Sequence, residues 1–493
     1  MSSIISKITI SYAYASNLKV LLILCTLSVL IFPIRAQDKP ASRSCTLATL
    51  AQPLYDIEQQ IEYRQLDNGL QVRTLTQANT QAVSIASQFD VGSRNETKGQ
   101  TGYAHLFEHM LFKGSQHAPG DSYSQTMSAL SGQFNASTFF DFTNYYLTIP
   151  SQALELSLWL EADRFRYPML NQTTVSNQQG AVLEEMATTI DNQPYVRKAM
   201  EFLLAQVEGT PYGHAVIGSV ADVKAATPKS LNAFHQRYYR PDAMQLSLVG
   251  DIPPQTQTWI DNQFGDWQAP NSKLSQLNAL EIKAKPVHGE VIDERGPWPA
   301  VLLAWHTAGT GSADAAALTL LEAYLFQNKS SLLRATSLND PEQLLSYSIP
   351  LTMSHHGVTN LLLVPRARTS LDKLTANTET LIATVANGEI TEQQVCQLKQ
   401  IWLNQALARL DSPSVLSRYL SASQARDKMQ PLTGPWQRIN AVTAADLQRV
   451  SQQYFVGKTV RLDLLPPWYI RATKSILEFL PKDLSDSLEE SVM

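Results

Sequence analysis

The sequence predicts an α+β protein with two homologous domains, each a mainly antiparallel sheet packed with helices. Two observations favour this class. Strand patterns joined by turn signals are mixed with blocks of helical periodicity, which is typical of α+β folds and not of doubly wound sheets. A similar strand-then-helix order begins again in the second half of the chain, which indicates a duplicated domain.

The first strands are predicted on either side of a tight turn. The segment Leu66–Val72 contains Asn68 and Gly69, and an Asn-Gly pair supplies the two positive φ angles of a type I′ hairpin turn. Val83–Val91 is the next predicted strand. Leu246–Asp251 is a predicted strand that ends in a turn.

Helical periodicity occupies most of the chain between these strands. The predicted helices cover residues 100–114, 122–131, 151–166 and 172–190. Together with the strands they form a predicted first domain over residues 57–270.

The strongest chemical signal lies in the first of these helices. His105 and His109 are four residues apart and share one helical face, and Glu108 lies on the same side. Two neutral imidazoles provide nitrogen ligands for a catalytic zinc ion, and the carboxylate provides a base for its bound water. The spacing H-x-x-E-H is that of the inverzincins. The alternative is a chance pentapeptide. The remaining histidines lack this spacing and are interpreted as structural or surface residues.

A third protein ligand is expected, because a catalytic zinc site takes three protein ligands and keeps its fourth position for water. Glu184 and Glu185 are the candidates, in the helix predicted over residues 172–190. Adjacent helical residues point about 100° apart, so only one of the two faces a metal. The alternative is that both lie on a solvated helix face.

These segments resemble the pitrilysin family of zinc peptidases, in particular its half-length branch, which includes mitochondrial processing peptidases and many bacterial relatives. The resemblance covers roughly residues 57–465 and is strongest in the first half. It rests on the HxxEH helix and on Ala181–Glu185 followed by Asp191–Tyr195. This register implies that Glu185 is the third ligand of one Zn²⁺ per chain and that Glu108 is the catalytic base.

The resemblance also implies a binding site for substrate. Asn135, Ala136, Ser137 and Thr138 are similar to the family's edge strand, to which an extended peptide adds as a further strand. One departure lies on the ligand helix: the family usually has a Glu seven residues before the ligand Glu, and Gln178 stands there. Gln178 can hydrogen-bond but carries no charge, so we expect an effect on turnover and not on metal binding.

A second domain is predicted over residues 288–475, after a linker at 271–287 and before a tail at 476–493. Its strand Ala300–His306 corresponds to Val83–Val91. Its helix Ala315–Phe326 aligns with the HxxEH helix when Glu322 is set against Glu108. Thr319 and Ala323 then replace the two histidines, so this second copy is expected to be non-catalytic.

The family implies a partner for this chain. Its four homologous domains close a chamber, and its second half usually supplies an Arg and a Tyr seven residues apart that hold the substrate. Tyr347 fits the Tyr as a substrate-binding residue, but Asp340 lies seven residues before it, and Arg334 is further away. We therefore expect either a homologous half-length subunit that supplies the Arg/Tyr pair, or a homodimer.

The N-terminal residues predict export. The apolar run at 20–32 follows Lys19 and precedes Ala36, and its length suits a signal peptide over residues 1–36 better than a helix crossing the bilayer, which needs roughly 20 residues. The expected location is the periplasm, with no stable membrane span after cleavage; an uncleaved segment would anchor the chain instead. Residues 37–56 form either a loose tail or an arm that becomes ordered on contact.

Two cysteines remain after that cleavage. Cys396 lies in an amphipathic run that is typical of a buried thiol. The alternative is a disulfide with Cys45, which an oxidising compartment would permit.

The predicted function is a zinc endopeptidase that cleaves extended peptides or unfolded chains in a closed chamber. The alternative is a non-catalytic peptide-binding or assembly subunit of a larger complex; a metal-binding protein without hydrolysis is a third reading. The net charge of −5 argues against a nucleic-acid partner.

Overall fold

Two six-stranded sheets organise the computed structural model of the chain. It describes residues 45–78, 80–271, 285–327, 331–336, 342–348, 351–422, 429–477 and 479. The predicted signal peptide therefore lies outside the described residues, as do most of the predicted linker and nearly all of the predicted tail.

The first sheet contains β1 to β6 in the order β1-β2-β6-β3-β5-β4. Only β2 and β6 pair in parallel, and β4 lies at an open edge. Val83–Val91 and Leu246–Asp251 were predicted as strands, and strands are present at both places. The bounds are β1 Glu62–Gln65, β2 Gln71–Thr76, β3 Ala82–Phe89, β4 Gln133–Thr138, β5 Thr143–Pro150 and β6 Met244–Gly250.

The hairpin between β1 and β2 is present, but its predicted turn type is wrong. Gly69 has a positive φ of 93°, whereas Asn68 does not. The N–H of Gly69 donates to the carbonyl of Leu66, and the N–H of Leu66 donates to the carbonyl of Leu70. This is the pattern of a turn followed by a glycine bulge, and the extra residue lengthens the loop. The side chain of Asn68 donates to the carbonyls of Phe264 and Trp267.

The four helices predicted for the first domain are present, each shorter than its sequence pattern. The ligand helix α5 begins at Asn171, whose side chain accepts from the N–H of Thr174, and it continues into a π-helical turn at Ala187–Asp191. The helices are α1 Ala48–Glu58, α2 Tyr103–Met110, α3 Ser122–Ala129, α4 Leu154–Arg166, α5 Gln172–Met186, α6 Val196–Ala205, α7 Val220–Ala225, α8 Pro228–Tyr238 and α9 Thr256–Phe264.

The second sheet has the order β10-β11-β8-β12-β7, with β9 also paired to β11. Its strands are β7 Val287–Ile292, β8 Ala300–Thr307, β9 Gln343–Tyr347, β10 Leu351–Thr352, β11 Gly357–Pro365 and β12 Val460–Leu465. Its helices are α10 Ala315–Glu322, α11 Leu332–Thr336, α12 Leu371–Ala386, α13 Glu392–Leu410, α14 Pro413–Ser421, α15 Thr433–Ala441, α16 Ala444–Tyr454 and α17 Trp468–Leu477. Within the described residues, none of the helices is both long and apolar enough to cross a membrane.

The two sheets repeat one topology, which confirms the predicted pair of homologous domains. In each, a parallel pair (β2 with β6, β7 with β12) continues through two antiparallel neighbours (β3 and β5, β8 and β11). In each, the helix after the central strand (α2, α10) comes at the same place in the chain. The predicted alignment of these two helices is therefore matched by the order of the elements around them.

Segments of each half also pack against the other half. Helix α1 inserts Ala51 and Leu54 into the apolar core of the second domain. Helix α14 crosses the first sheet, where the buried guanidinium of Arg73 donates to the carbonyl of Leu420 at 3.2 Å. Strands β3 and β6 are buried along almost their whole length, because helices cover both of their faces.

A disulfide joins Cys45 to Cys396, so the expectation of a free thiol at Cys396 is wrong. The bond ties the start of the predicted N-terminal arm to helix α13 across 351 residues of sequence. Disulfides that close long loops stabilise folded proteins by about 2–4 kcal/mol, since they restrict the unfolded chain. Residues 45–56 of the predicted arm are ordered, because α1 packs into the core of the second domain and Cys45 just before it is cross-linked.

Glu322 on α10 is buried, and no cation among the described residues pairs with it. Its carboxylate accepts from the hydroxyl of Thr359 and from the amide of Gln327, yet burial dominates and raises its pKa to about 7. The pKa of Glu322 is higher in the folded protein than in the unfolded one. The resulting contribution to the free energy of unfolding is fully present below the ordinary carboxyl pKa and is lost as the pH rises through about 7.

We predict that Glu322→Gln stabilises the protein at pH 8 and not at pH 4.5, because the amide never has to ionise in the core. The expected gain in the free energy of unfolding at pH 8 is about 1–3 kcal/mol. Urea unfolding of both proteins at the two pH values measures it, with the exposed Glu155→Gln as control. An equal effect of Glu322→Gln at both pH values would contradict the prediction.

Candidate metal centre and active site

Three of the predicted site residues converge on one point. Nε2 of His105 lies 3.6 Å from Oε2 of Glu185, and Nε2 of His109 lies 3.4 Å from the same oxygen. The histidines come from consecutive turns of α2, and Glu185 comes from the last turn of α5, which packs beside it. Glu184 is exposed and is not part of the cluster.

The spacing of these atoms suits a zinc ion. Zinc binds imidazole nitrogen and carboxylate oxygen at about 2.0–2.2 Å in a tetrahedron, so two ligand atoms lie about 3.4 Å apart. The two nitrogen-to-oxygen distances agree with that value, and all three ligand atoms lie within 4.8 Å of one another. In the described part of the chain, this is the one group of three or more His, Cys, Asp or Glu side chains close enough to hold a metal.

Burial keeps the two imidazoles neutral. Burial, with a smaller contribution from the nearby His109, lowers the pKa of His105 to about 4. Burial also lowers the pKa of His109, although the charge of Glu185 opposes the shift. A neutral imidazole has a free nitrogen lone pair at neutral pH, which a metal ligand requires.

Glu108 lies beside the cluster and contacts the edge strand. The hydroxyl of Thr138, the last residue of β4, donates to Oε2 of Glu108 at 2.5 Å. Burial raises the pKa of Glu108 to about 7, and the charge of Glu185 also raises it, while the bond from Thr138 lowers it. A carboxyl group with a pKa near neutrality can both take up and release a proton at neutral pH.

The remaining residues predicted to bind substrate lie along β4, at the open edge of the first sheet. The side chain of Asn135 accepts from the N–H of Ala136 at 2.8 Å, and the hydroxyl of Ser137 donates to the carbonyl of Ala136 at 2.7 Å. Both backbone groups of Ala136 are thus satisfied by neighbouring side chains. A peptide strand that paired here would replace these two local bonds.

Gln178 takes the position that the sequence predicted for it, on the same face of α5 as Glu185. It is buried, and its side chain is within hydrogen-bonding reach of His109. The amide therefore contacts a residue of the cluster without adding a charge to it.

Glu96 and His214 are two residues of this site that the sequence did not reveal. Glu96 accepts from the N–H groups of Gly102 and Ala104, both at 2.8 Å, at the start of α2. Nε2 of His214 lies 2.9 Å from Oε2 of Glu96, the oxygen that also accepts from Gly102. The side chain of Glu96 is fully buried. Sequence alone placed His214 among structural histidines. It gave no reason to link Glu96 to it, because 118 residues separate them.

The close packing at the start of α2 also explains why residue 102 is a glycine. Gly102 has a φ of 89°, and a Cβ atom there would lie 2.6 Å from the carbonyl oxygen of Ile217. Only glycine fits this contact. The helix that carries the two histidines is thus fixed at its first residue by Glu96 and by the loop containing Ile217.

Asp141 links the end of the edge strand to the second domain. Its carboxylate accepts from Arg94 at 2.6 Å, from the hydroxyl of Tyr212 at 2.8 Å and from the backbone N–H of Ser354 at 2.7 Å. Ser354 belongs to the turn between β10 and β11. The second domain therefore contacts the segment that follows Thr138.

Tyr347, the other residue predicted to bind substrate, lies at the end of β9 in the second domain. Its side chain is 57% exposed and borders an apolar cavity that also touches the segments after Thr138 and Glu185. Arg334 lies in α11, and Asp340 is outside the described residues. The structure thus brings together His105, His109, Glu185, Glu108 and Thr138, and places Tyr347 on the lining of the cavity.

Family models match both halves of the chain. Residues 71–218 match the model described as insulinase (peptidase family M16), and residues 225–401 match the one described as the peptidase M16 inactive domain. The three residues that could hold a metal lie in the first segment.

Two curated relatives are similar to most of the chain. The zinc protease PqqE of Helicobacter pylori is 26% identical over 407 residues, which cover 79% of this chain and 89% of the relative. The probable mitochondrial-processing peptidase subunit beta of Arabidopsis thaliana is 22% identical over 418 residues, which cover 82% of this chain and 77% of the relative.

Solved structures share the fold. A protease from Helicobacter pylori superposes with a TM-score of 0.76 at 24% identity, covering 82% of this chain and 99% of that one. The periplasmic protease PqqL from Escherichia coli gives a TM-score of 0.68 at 18% identity, and the match covers 88% of this chain but 50% of PqqL. The present chain thus corresponds to half of the PqqL chain.

Proposed function

We propose that this chain, which belongs to peptidase family M16, is a zinc-dependent endopeptidase for extended peptides or unfolded chains. One observation carries the proposal. Three side chains that could hold a metal lie beside the carboxyl group of Glu108, and that group contacts Thr138, the last residue of a strand at the open edge of the sheet. A peptide paired with that strand would have its backbone beside both.

His105, His109 and Glu185 would hold one Zn²⁺ per chain, because their ligand atoms have the spacing and charge state that zinc requires. When bound, the ion supplies Lewis-acid polarisation of a water molecule and of the scissile carbonyl. Gln178 would keep the His109 ring in place by its hydrogen bond.

Glu108 would act as the general base and then as the general acid. Its carboxylate takes a proton from the attacking water and delivers it to the leaving amine, which becomes a free amino terminus. Thr138 holds the carboxylate of Glu108 through its hydroxyl and its backbone. Because Thr138 also ends the edge strand, the same contact sets the base against the peptide backbone.

The edge strand would select extended chains and not folded ones. A peptide lying along Asn135, Ala136 and Ser137 gains main-chain hydrogen bonds that depend little on its sequence. The N–H and the carbonyl of Ala136 are already hydrogen-bonded to neighbouring side chains. These bonds would keep the edge from pairing with other chains when no peptide is present.

Changes at the cluster should separate metal binding from turnover. We predict that the purified full chain holds about one zinc, and that His105→Ala, His109→Ala or Glu185→Ala loses it. Glu108→Gln should keep the zinc and lower kcat about 10²–10⁴-fold, because it removes a base but no ligand. Zinc is measured by mass spectrometry after dialysis, and turnover by cleavage of unfolded casein or a peptide library.

Glu184→Ala is the matched control, since Glu184 is adjacent to the ligand but exposed. It should retain both zinc and activity. Full activity in Glu108→Gln, or unaltered zinc in Glu185→Ala, would overturn the assignment. Loss of zinc in Glu184→Ala would move the ligand by one residue.

We further propose that the active enzyme contains a second half-length chain. This chain spans 50% of the PqqL chain it resembles, and its exposed Tyr347 lacks the Arg that the family places seven residues before it, where Asp340 stands. The homologous subunit would supply the Arg/Tyr pair and close the chamber; the alternative assembly is a homodimer.

We expect the purified chain alone to show low peptidase activity. Addition of a homologous subunit that carries the Arg/Tyr pair should raise kcat at constant zinc content. Light scattering defines the assembly in each sample. Vigorous cleavage by this chain alone, unaffected by Tyr347→Phe, would contradict the need for a partner.

We also propose that the chain is exported to the periplasm. The apolar run before Ala36 and the Cys45–Cys396 disulfide both fit an oxidising compartment, and PqqL is a periplasmic protease. Protein isolated from its native host should begin at or near Gln37 and yield Cys45 and Cys396 as one cross-linked pair of peptides. An intact Met1, or both thiols free to alkylation, would argue against export.

A further inference from the structure

Helix α14 of the second domain carries an arginine out over the first sheet. Hydrogen bonds from Ser247 on β6 and from Arg73 on β2 to carbonyl groups of the helix fix α14 above the middle of that sheet. From there the side chain of Arg418 extends towards the edge, and its guanidinium carbon lies 4.4 Å from the centre of the Tyr146 ring on β5. The guanidinium thus lies over the strand next to β4, the open edge.

The residues beneath α14 and Arg418 form one row across the sheet. Arg73 pairs with Ser247, Ser247 with Ala86, Ala86 with Tyr146, and Tyr146 with Asn135. Directly paired residues on neighbouring strands project from the same face of a sheet. Ser247 and Ala86 are small, so α14 can lie close to the strands and Arg418 can pass over them. The row ends at Asn135, whose side chain is exposed on the edge strand.

A peptide paired with β4 would add one residue to this row. Neighbouring strands lie about 4.8 Å apart, so the added residue would lie about 10 Å from the backbone of Tyr146, with its side chain on the same face. An acidic side chain there and the long side chain of Arg418 would span this distance together. The face is opposite to the one on which Thr138 contacts Glu108, because side chains alternate along β4 and Asn135 lies three residues before Thr138. Peptide side chains that point away from the metal cluster would therefore point towards Arg418.

The guanidinium of Arg418 keeps most of its hydrogen-bond donors. Its Nε donates to the carbonyl of Ser414 at 3.3 Å, and the group lies over the ring of Tyr146. The residue is half-buried, and no carboxylate within the described ranges pairs with it. An arginine stacked on an aromatic ring can still bind a carboxylate through two parallel N–H groups in its own plane. An acidic side chain of a peptide would thus meet a positive charge without a competing anion.

The side chains around this row are polar and uncharged. On the same face, β4 and β5 contribute the pairs Gln133 with Thr148 and Ser137 with Asn144. Neither strand contains a charged residue, and Asp141 in the turn between them is already paired with Arg94. The charge of Arg418 is therefore not offset by these two strands. Such a surface favours an anionic side chain and disfavours a cationic one.

We propose that Arg418 selects an acidic residue, Asp or Glu, of the peptide substrate at the position across from Asn135. The second domain would thus take part in recognition, although its described residues form no metal cluster. Arg418 lies beyond residue 401, where the match to the inactive-domain model ends. This inference rests on the proposed peptidase function, because it takes β4 as the place where the peptide lies.

The test changes the charge of Arg418 and compares it with another stacked arginine. Arg409→Gln is the matched control, because Arg409 stacks on Trp402 and Tyr419 within the second domain. A peptide library is digested by the active form of the full protein, and the cleaved bonds are identified by mass spectrometry. The wild type and Arg409→Gln should prefer Glu over Gln about fivefold in kcat/KM at one position near the cleaved bond, the size of a partly exposed ion pair. Arg418→Gln should remove this preference, and Arg418→Glu should replace it with a preference for Lys.

Salt provides a test that needs no variant. The preference of the wild type for Glu over Gln should shrink as NaCl rises from about 0.05 M to about 0.5 M, because ions screen a pair that is open to solvent. A preference that stays constant over this range would count against a charge contact. Zinc content equal to that of the wild type shows that the first domain is intact in each variant.

A binding measurement separates this inference from the proposed chemistry. Fluorescent peptides of alanine and serine, with a single Glu, Gln or Lys moved along them, are titrated onto the zinc-loaded Glu108→Gln protein. Glu at one position should strengthen binding relative to Gln, Lys should weaken it, and Arg418→Glu added to Glu108→Gln should reverse the order. Binding with this charge preference but no cleavage by the wild type would overturn the proposed peptidase and keep the role of Arg418. Cleavage without an acidic preference, or with one that Arg418→Gln leaves unaltered, would overturn the role of Arg418 alone.

Discussion

The contact between Glu108 and Thr138 is the interaction on which the proposed site depends. It joins the helix that carries the two histidines to the end of the strand where a peptide would pair. Thr138 belongs to β4, the strand on which a peptide would lie. Its bond to Glu108 would therefore keep the base at a fixed distance from the peptide backbone, whatever the peptide's sequence. Burial raises the pKa of Glu108 to about 7 although the bond from Thr138 opposes this shift, and a carboxyl group with that pKa can take up and return a proton.

This contact works only if α2 itself cannot move, and the chain fixes that helix from several sides. Glu96 satisfies two N–H groups at its start, and His214 holds Glu96 from a distant loop. Asp141 then connects the end of the edge strand to Ser354 of the second domain. The cross-packing of α1 and α14 and the Cys45–Cys396 disulfide hold the two domains in one arrangement. A second domain without metal ligands thus contributes to the geometry of the first.

The sequence predicted those features whose cause is local. Helical spacing placed the two histidines on one face of α2, and the same spacing set Gln178 above Glu185. The choice of Glu185 over Glu184 came from the family's register; in the structure Glu185 lies beside the two histidines and Glu184 is exposed, because one residue on a helix turns a side chain by about 100°. Features that depend on distant contacts escaped prediction. Asn68 does not adopt a positive φ because its side chain reaches Phe264 and Trp267, and Cys396 forms a disulfide because α1 folds back onto the second domain. The partners of Glu96 are equally non-local.

The two domains share one topology but differ in what the helix after the central strand carries. In α10 the helical frame and a buried carboxyl group are present, but the described residues form no second cluster of metal-ligating side chains, and Glu322 hydrogen-bonds to Thr359 in the core. A domain without such a cluster needs no polar, open site. Its sheet can present an apolar face towards α6, where uncharged side chains are buried at no electrostatic cost. It still contacts the first domain, because the N–H of Ser354 donates to Asp141 next to the edge strand. The copy without the metal-ligating side chains thus supports the segment beside which a peptide would pair.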